Sequence, residues 1–86
     1  MPEYDIVFTR SARKELQALS HTVAERILEK VELLALNPRP AGCKKLHGHS
    51  NLWRIRVGEY RVVYSIDDNG KAIDISVIRH RNEAYR

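Results

Sequence analysis

Arg54 and Arg56 stand two apart in the segment from Leu52 to Val57, where Trp53, Ile55 and Val57 supply the alternate apolar positions. On a β-strand that period sends both guanidinium groups to one side of the sheet and the apolar trio to the other. Arg61 comes just after Gly58-Glu59, so a tight hairpin would bring it near the first pair; Arg79 and Arg81 end the last apolar run. A guanidinium carries a fixed charge and a planar fork of donors that matches phosphate oxygens, and several meeting at one point would stabilise charge developing at a reacting phosphorus. A solvated outer face, kept charged against edge pairing, fits the same pattern, and spacing leaves the two readings open. Strict alternation also groups Arg79 with Ile73, Ile75 and Val77 and sends His80 to the opposite face. Arg79 joins the other arginines only if a bulge shifts the strand or if it lies past the edge of the core.

His80 and Tyr85 are the candidates for proton transfer, because an imidazole titrating at about pH 6.5 can take and return a proton. A tyrosine near a chain end is also an ordinary packing group. His47-Gly48-His49 brings two imidazoles close together, but no Cys-x-x-Cys and no carboxylate at ligand spacing accompanies them, so no metal is expected. Lys44 and Lys45, beside them, suit point-charge contacts with a nucleic-acid backbone, as does Arg81. Cys43 lacks a Cys-His-acid arrangement and reads as structural. Trp53 falls on the apolar side of its strand and reads as core, with base stacking the alternative use. Neither a P-loop nor a dinucleotide fingerprint occurs, so no small-molecule cofactor is expected.

The elements that must position these groups follow from periodicity. Tyr4 to Thr9 alternates and predicts a first strand. Thr9 can cap a helix whose apolar positions are Ala12, Leu16 and Leu19, and Ser20 or His21 interrupts it. From Thr22, the set Val23, Ile27, Leu28, Val31, Leu34 and Ala35 keeps one helical face until Asn37-Pro38 stops it. Arg39 to Asn51 has no period and reads as a basic loop. Leu52 to Val57, Tyr60 to Asp67 and Ile73 to Arg79 read as three strands, with Asp68-Asn69-Gly70 a hairpin signal. The order β-α-α-β-β-β predicts an α+β fold: an αα-hairpin on one face of a mostly antiparallel sheet, the other face left to solvent or a ligand.

Composition bounds the rest. The 86 residues suit one domain spanning 1–86, and 43% apolar with 30% charged residues is a globular balance. No run approaches the ~20 apolar residues of a membrane helix, so no membrane partner is expected. The acidic start from Met1 to Asp5 lacks the features of a signal peptide, and a lone cysteine fits a reducing compartment, so a cytoplasmic protein is expected. Net charge is +4, and it is unevenly spread. Residues 1–38 carry five basic and six acidic side chains, whereas residues 39–86 carry ten basic and five acidic ones. The positive field therefore belongs to the second half, where the arginines lie.

Taken together, Leu46-His47-Gly48, Trp53-Arg54-Ile55-Arg56, Glu59-Tyr60-Arg61-Val62-Val63-Tyr64 and the ending Val77-Ile78-Arg79-His80-Arg81-Asn82-Glu83-Ala84-Tyr85-Arg86 resemble the RelE/ParE toxin superfamily. The resemblance covers nearly the whole chain and implies the same fold, with a curved sheet. It also implies a toxin of a type II toxin-antitoxin pair, with a cognate antitoxin covering the basic surface. RelE-type members cleave messenger RNA in the ribosomal A site with basic side chains and a tyrosine, whereas ParE-type members poison DNA gyrase and generally lack that set. Arg54, Arg56, Arg61, Arg79 and Tyr85 match the RelE set, which implies a metal-independent endoribonuclease in which the ribose 2′-hydroxyl attacks the adjacent phosphate. Arg61 and Arg79 would then hold the phosphate, and Tyr85 would stack on a base or assist proton transfer. The best-known member has lysines where this chain has Arg54 and Arg56, and arginine stays protonated and is a poor base. That moves the general base to His80 first, or to ribosomal RNA. The alternatives are a gyrase-binding ParE-like toxin and a degenerate module that only pairs with its antitoxin.

Overall fold

In the computed structural model, which describes residues 3–48 and 50–82, the elements run β1 (Asp5–Phe8), α1 (Arg10–Gln17), α2 (His21–Leu34), β2 (Lys44–Lys45), β3 (Trp53–Val57), β4 (Tyr60–Asp67) and β5 (Ala72–His80). Thr9 caps α1 as its sequence position predicts, its Oγ1 accepting from the Ala12 amide at 3.1 Å. Of the two candidates for the second cap, Ser20 takes the role, accepting from the Val23 amide, so that α2 begins at His21. Each cap satisfies a helix donor that would otherwise lack a partner.

The five strands lie in the order β1-β5-β4-β3-β2. β1 runs parallel to β5, and every other pair is antiparallel. The mostly antiparallel α+β architecture is the one expected, with one addition: Lys44–Lys45, in the segment expected to be loop, pairs with Trp53 and Arg54 as a two-residue edge strand. So short a strand has no period for a sequence to display.

The inner face of the sheet carries Ile55, Val57, Val62, Tyr64, Ile66, Ile73, Ile75 and Ile78, all buried. They pack with Ala12 of α1 and Ile27, Val31 and Leu34 of α2, so the helical stripes read from the sequence do meet one face of the sheet. Each fully buried Ile, Leu or Val contributes about 1.5–3 kcal/mol relative to exposure. Tyr64 is completely buried, and its hydroxyl finds a partner by donating to the Pro38 carbonyl at 2.7 Å.

Two turns close the ladder. Gly58 takes φ +60 in the two-residue link between β3 and β4, a conformation that costs glycine little. The β4–β5 link falls at the hairpin signal Asp68-Asn69-Gly70, and its residue of positive φ is Lys71, at φ 54. The Gly70 amide donates to Asp67 Oδ1 at 2.9 Å, and a Cβ there would have only the exposed Asp67 carboxylate to push aside. Within the same turn, Asp68 holds Arg39 and the Tyr4 hydroxyl, and these bonds keep its carboxyl below the usual carboxylate range while raising the Arg39 guanidinium.

Candidate nucleic-acid interface

The β4–β5 ladder contains one irregularity, and it decides where Arg79 points. Tyr64 pairs with Ile75 and Val63 pairs with Val77, so Ser76 is an extra residue on β5. A one-residue bulge reverses the facing of everything after it. Ile73 and Ile75 face the helices before the bulge and Ile78 after it, whereas Val77 and Arg79 turn to the outer surface. The alternation that grouped Val77 and Arg79 with Ile73 and Ile75 is thereby corrected, by the bulge that sequence reasoning named as a condition.

With that shift the arginines align. Arg56 of β3, Arg61 of β4 and Arg79 of β5 are direct cross-strand partners in a single row. Partners in a row lie on the same face, with strands ~4.8 Å apart. One step along, Lys44, Arg54, Val63 and Val77 form the next row across four strands. Arg54, Arg61 and Arg79 line one cavity of about 370 Å³ together with Leu46, Leu52, Val63 and Val77. Arg56, Arg61 and Arg81 line an adjoining one of about 180 Å³ with Gly58, Glu59 and Tyr60. Arg61, at the centre, is only 8% exposed, so its stem is walled in by the neighbouring strands. Arg54 is half-buried, and its Nε is a buried donor with no hydrogen-bond partner among the described residues.

Like charges facing each other across a sheet oppose folding; two unit charges ~5 Å apart repel by roughly 1 kcal/mol even at the dielectric of water. Glu15 offsets part of this at Arg79, and an anion laid across the row would offset more. The aliphatic floor beside it offers an apolar surface of the kind a nucleobase can cover. Chemically, the arrangement can hold a phosphodiester from several directions and stabilise negative charge growing on its oxygens.

Among the described residues, carboxylates touch the cluster at two places. Glu15 of α1 accepts from Arg79 Nε at 2.9 Å through one oxygen and from the Ile78 amide at 2.9 Å through the other. Glu59 lies 3.8 Å from both Arg81 and His80, contacts too long and exposed to fix either group. Glu15 was not found from the sequence; the only signal was its place three residues after Ala12, at the margin of the apolar stripe.

The structure does not bring every expected residue to the cavity. His80 pairs with Tyr60 on the inner side of the sheet, its ring edge-on to the Tyr60 ring at 5.3 Å and its Nδ1 accepting from the Asn82 amide. It does not line the cavity of Arg54, Arg61 and Arg79. Lys44 is exposed beside Arg54, while Lys45 lies on the Trp53 side, its ammonium 5.9 Å from the ring centroid. Trp53 also lies under Arg39, at 4.9 Å, so it is half-buried in a cationic wrapping on the inner side. Tyr85 and His49 lie outside the described residues.

Comparison with known proteins adds four findings. The family model described as ParE toxin of type II toxin-antitoxin system, parDE, matches residues 6–85. The curated protein Toxin RelE of Mycobacterium tuberculosis is 34% identical over 84 residues, covering 96% of this chain and 87% of its own length. Among solved structures, the archaeal RelE-RelB complex from Pyrococcus horikoshii matches with a TM-score of 0.82 and 32% identity, over 98% of this chain and 100% of that one. The intact Escherichia coli RelBE toxin-antitoxin complex matches with a TM-score of 0.79 and 28% identity, over 90% of this chain and 95% of that one.

Proposed function

The chain belongs to the RelE/ParE superfamily of type II toxin-antitoxin toxins, and from that premise we propose that it is an endoribonuclease which cuts messenger RNA on the ribosome. The single observation that carries this reading is the convergence of Arg54, Arg61 and Arg79, from three strands, on one cavity.

In the proposed reaction the 2′-oxygen of a ribose attacks the adjacent phosphorus and the bond to the 5′-oxygen breaks. This leaves a 2′,3′-cyclic phosphate on one fragment and a 5′-hydroxyl on the other, the 5′-oxygen taking up a proton for the one that the 2′-hydroxyl gives up. Arg61 and Arg79 hold the non-bridging oxygens, on which charge grows, and Arg54 closes the third side; preorganised cations of this kind typically supply about 3–4 kcal/mol each. Arg56, Lys44 and Arg81 hold the strand on either side, positioning without selecting sequence. The arginines stay protonated and do not act as the base. His80 faces the other side of the sheet, so we assign proton removal to ribosomal RNA or to Tyr85 rather than to the imidazole. The antitoxin complexes of the similar structures support a cognate antitoxin as partner, one that brings acidic or amphipathic surface to the basic face.

The ParE description of the matching family model supports a second reading, in which the chain binds DNA gyrase and cuts no RNA. Induction of the chain in growing cells, followed by primer-extension mapping of transcript ends, separates the two. Cuts within codons of translated transcripts, absent in an Arg61→Ala control, support the nuclease. Intact transcripts with DNA-damage signalling support the gyrase reading, and undisturbed growth supports a module that only binds its antitoxin.

A further inference from the structure

β1 ends at Phe8, opposite Ile75, so among the described residues the second half of β5 has no strand on that side. Backbone groups left there are taken by Thr9, which caps α1, and by Glu15 in the second turn of that helix. The Thr9 amide donates to the Ile75 carbonyl at 3.0 Å, the Thr9 hydroxyl donates to the Ser76 carbonyl at 3.2 Å, and Glu15 Oε1 accepts from the Ile78 amide at 2.9 Å. The second oxygen of the same carboxylate accepts from Arg79 Nε. One side chain thus braces the backbone just after the bulge and the guanidinium that the bulge has turned outward. The Glu15 side chain is 26% exposed and that of Arg79 is 48% exposed. A pair held at one end by a backbone amide loses less freedom than an ordinary surface ion pair.

We infer that Glu15 is a positioning residue for Arg79: by engaging Nε it fixes the guanidinium plane and leaves the two terminal nitrogens to meet the phosphate. This rests on the proposed nuclease reading. A guanidinium free to rotate would reach the phosphate in only a fraction of its rotamers, and a misplacement of ~1 Å at a reacting centre costs about 100-fold in rate. Glu15→Gln keeps the shape but offers one acceptor oxygen instead of two, so the backbone amide and Arg79 Nε can no longer both be served.

The test is single-turnover cleavage of a short messenger RNA on programmed ribosomes by the full chain, freed of antitoxin, as wild type, Glu15→Gln, Arg79→Ala and the double variant. Expected are a loss of about 10-fold in the cleavage rate for Glu15→Gln with half-saturation changed less than about 2-fold, and a double variant no slower than Arg79→Ala. An Arg79-independent structural role would instead multiply the two losses, and that result overturns the inference, as does a Glu15→Gln rate equal to wild type. An Arg79→Ala rate equal to wild type overturns the nuclease reading itself. Should the amide variant fail to fold, Glu15→Asp keeps the charge on a stem one methylene shorter and carries the same comparison.

Discussion

Arg61 and Arg79 face each other across β4 and β5 on the outer surface of the sheet, and they do so because Ser76 is one residue more than the ladder requires. Without the bulge, Arg79 would point towards the helices and Ile78 towards water. The bulge keeps Ile78 in the core, 2% exposed, and completes the arginine row.

That row has a measurable electrostatic signature. Each phosphate neutralised on single-stranded nucleic acid contributes about −0.7 to the slope of log affinity against log salt. For a non-cleavable 2′-deoxy strand, Arg56→Ala should make the slope shallower by about 0.7. Fluorescence anisotropy at several salt concentrations reads it, and an unchanged slope counts against a phosphate contact at Arg56.

His80 supplies a contrast. Its ring rests against Tyr60 on the inner side, away from the cavity. His80→Ala is therefore expected to lower cleavage by less than about 3-fold, well short of the 100-fold typical of a lost general acid or base. A loss of about 100-fold or more would restore the imidazole as base.

Tyr64 ties stability to pH. Burial, and then the neighbouring Cys43, push its hydroxyl well above the usual tyrosine range, so the folded chain keeps a proton that the unfolded chain releases at about pH 10. Its contribution is complete below that pH and falls as pH rises further. Denaturant melts should show stability declining above about pH 10, with a shallower decline in Tyr64→Phe. At neutral pH the same variant is expected to cost about 1–2 kcal/mol, because the Pro38 carbonyl loses its donor.

Antitoxin binding should offset the mutual repulsion of the arginines. A partner present at about 100 times its dissociation constant adds about 2.7 kcal/mol, which for a chain this size raises the melting temperature by roughly 10–20 °C. Thermal melts with and without antitoxin measure this, and equal midpoints would contradict the proposed pairing.

The parts of this architecture that repeat were legible in the sequence. The alternation in Trp53–Val57 and Tyr60–Asp67 assigned Arg54, Arg56 and Arg61 to one face, and the helix stripes around Ala12, Ile27 and Val31 named the packed side. The parts that depend on a single residue or on distant pairing were not. Ser76 is ordinary strand sequence, and its bulge arises only because both Ile75 and Ile78 can be buried. Glu15 meets Arg79 across 64 positions, a contact no local pattern encodes. His80 follows Arg79 along the chain but stands on the opposite face of the sheet, so it shares a pocket with Glu15 and Arg79 and not the one that Arg54 and Arg61 line.

The most direct test of a shared phosphate clasp is the coupling between its arginines. Single-turnover cleavage on programmed ribosomes should fall about 100-fold or more for Arg61→Ala and for Arg79→Ala, with the double variant little slower than either. Losses below about 3-fold for each, or two full losses that multiply, would mean that the two guanidinium groups do not act on one phosphate.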